Sequence, residues 1–451
     1  MVGFLSRLVV QYLADSNNPR RQLHFLSKHP FTIIKMDATK KPLPLVFGNN
    51  EPIPTEVSNK PISELDPWER KVRFIGAIQA DDMVTVKAIL NENYSNGRFQ
   101  PEESYTPSEQ ISAICMAIEK GNLEMVQLMI DHGCSVNHYT SGFSPLHYAA
   151  TYGQPEIIKL LLKEGADLNA LSCHGNNALQ LAAQTKSLEA VQLLIDAGSN
   201  IEKANANGQT PLAIACINNR LETVEFLLRL GADVNTTDNR GNTPLLHSID
   251  QCLTINHQLV KILLDAGANP DHMNDNGDLA LVTAIRRASE TNLDGQYAIK
   301  ELIDHNCALD KVEVGFLKQN AIHVAISRSQ DRIIEMLIRA GCDLDIMGIE
   351  GYTPLERLVM ADNYNMVNLL LNAGAKPELS KKAIEKLSRF RGEERYPLQL
   401  LIADWRGRVH SLKHLCRLKF RRYMGRQCGN VIRNHLFMPA SVERFLLLID
   451  L

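Results

Sequence analysis

Cysteine pairs are missing from this chain. Its nine cysteines (Cys115, Cys134, Cys173, Cys216, Cys252, Cys307, Cys342, Cys416 and Cys428) are spread almost evenly through 451 residues and never fall in a CxxC spacing. An odd, dispersed set argues against a disulfide framework and a structural zinc cluster, and for a reducing, intracellular setting. The expected location is the cytoplasm, with the nucleus as a second compartment. Also missing is any apolar run approaching the roughly 18 to 20 residues that a membrane span needs. No GxSxG, no HExxH and no glycine-rich phosphate loop after a strand is present, so no catalytic set and no cofactor is expected. What remains is an ordinary folded composition, 45% apolar and 22% charged.

Net charge is small overall, yet unevenly placed. The formal total is −3, but from Pro397 to Leu451 ten Lys/Arg face three Asp/Glu, which leaves about −10 on the rest. The last segment is therefore a chemically distinct piece. The opening MVGFLSRLVVQYLAD puts Phe4, Leu5, Leu8, Val9, Tyr12 and Leu13 on one helical stripe. It has neither an unbroken apolar core nor a small-residue cleavage site, so a capping helix is expected over a secretory signal, with an organelle presequence as the competing reading. Six prolines between Ala38 and Pro67 then mark an irregular linker, so residues 1–65 form a helix plus linker.

A period of 33 dominates the middle. SPLHYAATYG starts at Ser144, NALQLAAQTK at Asn177, TPLAIACINN at Thr210 and TPLLHSID at Thr243. The first three are followed by a glycine 21 residues on, at Gly165, Gly198 and Gly231, and further copies begin at Leu279, Asn320 and Thr353. Two weaker copies precede them, giving about nine units over residues 66–377. Thr210 and Thr353 can cap a helix whose first residue is proline, and each unit's second helix can end on its left-handed glycine. One unit cannot bury its apolar face alone, but stacked units share a continuous core. The 33-residue TPLH pattern resembles the ankyrin repeat, and the fold this implies is an all-α solenoid. Two units break the spacing: Thr243 to Gly267 takes 24 residues and Leu279 to Asn306 takes 27. The extra residues, near QCLTIN and RRASETNLDG, are expected between the first and second helices.

Within the repeats, Asp167, Asp233 and Asp343 recur at one register, which makes them unit chemistry and not acid/base pairs. His147 of SPLH is expected to tie neighbouring loops, as the matching histidine does in ankyrin-like units. Stacked repeats offer a long face to a protein partner, and loop tips vary without unfolding the array. Those tips read NHYTSG (137–142), ALSCHG (170–175), KANANG (203–208), TTDNRG (236–241) and HMNDNG (272–277). His138, Tyr139, His174, Arg240 and Asp275 are the candidate contacts to a protein substrate.

After the array, residues 378–396 read as a linker helix and 397–451 as a separate terminal domain. SLKHLCRLKFRRYM (411–424) is both basic and striped, with Leu412, Cys416 and Phe420 spaced i, i+4, i+8 and Leu415 beside them. Alone it fits a helix for calmodulin or acidic lipid, or a zinc site using His410, His414, Cys416 and Cys428, although no paired spacing supports four ligands. Nucleic acid would demand a basic face on the array, whose share of charge is negative. With the downstream LFMPASVERFLLLIDL, the segment resembles the SOCS box, and with the repeats the chain resembles the ankyrin repeat and SOCS box family. The resemblance implies that Leu412, Leu415, Cys416 and Phe420 bind elongin C of elongin B/C. It also implies that Leu436, Met438, Pro439, Val442, Phe445 and Leu446 meet a cullin that carries a RING protein. Phe437 stands where the family has proline and Phe445 where it has tyrosine; cullin-5 is expected, and Met438-Pro439 also suits cullin-2. The implied role is a non-catalytic substrate adaptor of a ubiquitin ligase. A scaffold with a calmodulin- or membrane-binding tail is the alternative.

Overall fold

The computed structural model describes residues 46–47, 51–52 and 61–383, except 63–64, 66, 95–111, 251–254, 290–292, 315–318 and 362. The amphipathic opening stretch and the whole terminal domain lie outside the described residues. A two-residue antiparallel ladder, β1 (Val46–Phe47) with β2 (Glu51–Pro52), precedes the helices. Among the described residues there follow eighteen helices in nine antiparallel pairs. They are α1 (Pro67–Gln79) and α2 (Met83–Tyr94); α3 (Ala113–Lys120) and α4 (Leu123–Asp131); α5 (Pro145–Thr151) and α6 (Pro155–Lys163). Next come α7 (Ala178–Ala182) and α8 (Leu188–Asp196); α9 (Pro211–Ile217) and α10 (Leu221–Arg229); α11 (Pro244–Asp250) and α12 (His257–Asp265). The array ends with α13 (Ala280–Arg287) and α14 (Leu293–Asp304); α15 (Ala321–Ser327) and α16 (Asp331–Ala340); α17 (Pro354–Met360) and α18 (Tyr364–Ala373). Odd helices pack on odd and even on even, so the fold is a two-layered solenoid, as the period implied.

The local chemistry follows the sequence closely. Thr210 Oγ1 accepts the Ala213 N–H at 3.3 Å, and Thr353 forms a reciprocal capping box with Glu356, each ahead of a proline that has no N–H to waste. At the other end of each unit Gly165, Gly198, Gly231, Gly267, Gly341 and Gly374 all have φ between 85° and 105°. Asn306 takes that place in unit seven with φ 61°, as the side chain that best tolerates the left-handed region.

One register of the second helices forms a spine: Leu161, Leu194, Leu227, Leu263, Leu302, Leu337 and Leu370 are each 0% exposed. They belong to one continuous core that runs from Phe74 to Ala375. Burying such a leucine is worth about 1.5–3 kcal/mol of transfer free energy, and no unit could collect that without its neighbours.

The spacing breaks are absorbed in two ways. In unit six the extra residues lie between α11 and α12. In unit seven only part of the insertion is there, because α14 has 12 residues where α12 has 9. That corrects the expectation that RRASETNLDG is all connection. The added first turn has a local reason to be helical: Gly295 is buried, and Asp294 Oδ1 lies 2.8 Å from His257 Nδ1 at the start of α12.

Candidate functional site: the hairpin-tip face

From α4 onward the chain doubles back between consecutive pairs in a hairpin closed by backbone bonds, such as Ser172 N–H to Asn176 O at 2.8 Å and Asp238 N–H to Asn242 O at 3.0 Å. Three tip-to-tip backbone bonds stitch these hairpins together: Cys173 N–H to Gly142 O at 2.9 Å, Asn239 N–H to Asn207 O at 2.9 Å, and Asp275 N–H to Arg240 O at 3.0 Å. The recurrent acid of the repeats is exposed but already engaged by local backbone. Asp167, Asp233 and Asp343 each accept, at 2.9 Å, the backbone N–H two residues on. That is turn chemistry, and it leaves no carboxylate pair for proton transfer.

His147 is fully buried. The Ser144 N–H donates to its Nδ1 at 3.0 Å, so the proton sits on Nε2, which donates to Ala170 O at 3.0 Å. The histidine thus caps its own helix and holds the next hairpin, as expected. Three equivalents escaped the motif search. Gln180 accepts the Asn177 N–H and donates to Lys203 O at 2.7 Å; His323 Nε2 bonds Ile346 O at 2.9 Å. Glu356 accepts from Thr353 N–H at 2.9 Å and Ser380 N–H at 2.5 Å. Their shared signal is position, three residues after the cap, and not residue type. Burial depresses the pKa of His147 and of His323, the effect outweighing their hydrogen bonds to carbonyls.

The five candidate contacts fall into two groups. Tyr139 (47% exposed) and the exposed His174 gather around Phe143 and His147: Tyr139 to His147 is 6.4 Å between ring centroids and Phe143 to His174 is 6.2 Å, edge-on. His138, half-buried, precedes Tyr139 on the same tip. Arg240 and Asp275 are exposed on neighbouring tips joined by the backbone bond above. The aromatic group belongs to units three and four and the charged group to units six and seven, so the structure does not merge them. Leu412, Leu415, Cys416, Phe420, Leu436, Met438, Pro439, Val442, Phe445 and Leu446 lie outside the described residues.

Two buried charged clusters went unforeseen. Asp238 Oδ2 lies 3.0 Å from His247 Nε2, both nearly inaccessible. Burial lowers the His247 pKa while Asp238 opposes the shift. In the next hairpin but one, buried Glu313 pairs with Arg286, which also reaches Asp278 at 3.4 Å. Burial pushes the Glu313 carboxyl up, and Arg286 pulls it back. Among the described residues no group of three or more His, Cys, Asp or Glu is placed to hold a metal, and no helix is long and apolar enough to cross a membrane.

Comparison with known families resolves the architecture. The profile of ankyrin repeats matches three stretches, 74–172, 171–238 and 287–381. A second profile, the SOCS box, matches residues 408–447. The chain belongs to the ankyrin repeat and SOCS box family. Among curated proteins, Palmitoyltransferase AKR1 of Lachancea kluyveri is 32% identical over 143 residues, 31% of this chain and 18% of that protein. E3 ubiquitin-protein ligase hecd-1 of Caenorhabditis elegans is 30% identical over 112 residues, 25% of this chain and 4% of its own length. The B-cell lymphoma 3 protein homolog of Mus musculus is 38% identical over 72 residues, 16% of each chain. This ankyrin repeat and SOCS box protein spans less than a fifth of each of these relatives.

Proposed function

We propose that this chain is the substrate-recognition subunit of an elongin–cullin–RING ubiquitin ligase. The observation that carries the reading is the presence, in one chain, of a nine-unit repeat array and a SOCS box matched at 408–447. All the residues assigned by resemblance to elongin C (Leu412, Leu415, Cys416, Phe420) and to the cullin (Leu436, Met438, Pro439, Val442, Phe445, Leu446) fall inside that match. The array holds a target protein through its hairpin tips, with Tyr139, His138 and His174 as one contact group and Arg240 and Asp275 as another. The box docks elongin B/C and a cullin, cullin-5 or cullin-2. The chemistry of ubiquitin transfer belongs to the partners, and this chain raises the local concentration of target lysines.

Co-purification tests the reading. Full-length chain expressed with elongins B and C should yield a ternary complex that Leu412→Asp or Cys416→Asp abolishes, each placing a charge where an apolar pocket is expected. Absence of elongin C, or recovery unchanged by either variant, sinks it. Calcium-dependent recovery of calmodulin through residues 405–430 would favour the scaffold alternative instead.

A further inference from the structure

The insertion in unit seven opens with a charge pattern that the repeat does not need. It reads Arg286-Arg287-Ala288-Ser289, and nowhere else in the chain do two adjacent arginines stand three and two residues before a serine or threonine. Both arginines lie in the last turn of α13, and Ser289 follows beyond the helix, exposed. At the corresponding helix ends of α5, α9 and α15 the chain curls on, with ψ between −4° and 5° at Tyr152, Asn218 and Arg328. After α13 it runs straight out instead, with φ −68° and ψ 144° at Ala288. Ala288 is buried and its O accepts Gln330 Nε2 at 2.6 Å, so the backbone on the N-terminal side of Ser289 is anchored.

Kinases choose substrates by charge pattern, and a substrate cleft lined with carboxylates binds guanidinium groups placed just before the acceptor serine. Here both guanidiniums already sit on carboxylates. Arg287 lies 3.3 Å from Asp250, and Arg286 lies 3.4 Å from Asp278 and also pairs with Glu313. A cleft rich in carboxylates replaces such pairs like for like. The Arg287 pair is the easier to give up, because its Asp250 partner is 62% exposed and well screened by water.

We infer that Ser289 is the phosphoryl acceptor of a basophilic serine kinase, one with an acidic substrate cleft. Ser289 Oγ forms a bond to the γ-phosphorus of Mg-ATP as the bond from that phosphorus to the β–γ bridging oxygen breaks. The hydroxyl proton passes to the kinase's carboxylate base, and ADP leaves. The new phosphate carries a charge of about −1.5 to −2 at pH 7, and Arg287, two residues before it, leaves Asp250 for it. Asp250 closes α11 and Arg287 closes α13, so the modification exchanges a contact between units six and seven for one within unit seven. Those units carry Arg240 and Asp275; an effect on target binding there rests on the adaptor reading, whereas the modification itself does not.

Phosphoryl transfer to the native protein tests it. The folded full chain is incubated with Mg-ATP and the catalytic subunit of cAMP-dependent protein kinase as the acidic-cleft probe, and the product is mapped by mass spectrometry. One phosphate is expected on Ser289, and none at that position in Ser289→Ala. Arg287→Ala should slow the initial rate roughly ten-fold or more, since it removes one charge-assisted contact to the kinase. Both substituted side chains are exposed, so melting temperature serves as the folding control. In the phosphorylated chain, hydrogen exchange should quicken in the last turn of α11, where Asp250 has lost Arg287. Phosphate taken up only after heat denaturation, phosphate on other residues alone, or a rate indifferent to Arg287→Ala overturns the proposal. Exchange in α11 unchanged by the phosphate overturns the transfer of Arg287. Elongin recovery is scored separately: its loss sinks the adaptor reading and leaves the phosphorylation result standing.

Discussion

At the scale of single residues, the position three after each helix cap decides how firmly one unit holds the next. His147, Gln180, His323 and Glu356 fill it in units three, four, eight and nine, each bonding a backbone group of the segment that follows its unit. Units five, six and seven have Ala213, Leu246 and Val282 there, which cannot. Replacing His147 with alanine leaves the Ser144 N–H and Ala170 O buried without partners, at a cost of about 1–3 kcal/mol read as a lower urea midpoint. His147→Gln should lose much less, because Gln180 already makes the same two bonds with an amide. The two substitutions also separate a pH effect. Burial holds the folded pKa of His147, His247 and His323 below the ordinary 6.5. The unfolded chain therefore binds protons first as pH falls, so stability is level above about pH 7 and declines below about 6.5. Stability measured from pH 5 to 8 should slope less steeply in His147→Gln; an identical slope would show that His147 does not titrate between the two states. Of this set only SPLH announced itself in the sequence. A search by residue type finds histidine, whereas the physical requirement is any side chain able to satisfy the cap N–H and reach the next hairpin.

At the scale of elements, two glycines at similar φ do different work. Gly198 has φ 99° and a Cβ there would meet nothing within 4 Å, so Gly198→Ala should cost only the left-handed backbone penalty, about 1–2 kcal/mol. Gly241 has φ 71° and a Cβ there would come within 3.0 Å of the Asp275 backbone nitrogen. Gly241→Ala therefore adds a clash to the strain and should exceed the Gly198→Ala loss; equal losses would mean that the tip contact yields freely. The helices themselves were legible because cap, proline, apolar period and terminal glycine agree within each unit. The extra turn of α14 was not. Leu293, Asp294 and Gly295 read as loop, and only the His257–Asp294 contact across units and the burial of Gly295 explain why they coil. Contacts between units are invisible to a reading that proceeds one unit at a time.

At the scale of the whole molecule, the stack is held by nearest neighbours, and its stability is approximately a sum over units and interfaces. Leu227 sits mid-spine with no exposure, so Leu227→Ala should cost about 2–5 kcal/mol and split one unfolding transition into two, the halves on either side of unit five melting apart. A single sharp transition in calorimetry would instead show that coupling between units exceeds that loss. The C-terminal end of the array meets the same physics, and among the described residues no tenth helix pair follows α18. The chain supplies a substitute: Leu379 packs against the core and Ala383 is 0% exposed. Ser380 donates its N–H to Glu356, and Lys382 Nζ reaches Glu350 O at 2.6 Å while lying 4.9 Å from the centre of the Tyr352 ring. Glutamate at the tie position suits this end, because what it meets at Ser380 is an N–H donor, whereas His147, Gln180 and His323 meet carbonyls. The segment that follows the array is thus fastened to its last unit. Ala383→Asp forces a carboxylate into that contact, with a penalty of several kcal/mol relieved only by releasing the segment. Hydrogen exchange should then show lost protection in α17 and α18, with α9 and α10 unchanged. Unaltered exchange in α17 and α18 would mean that the final unit stands without its cover.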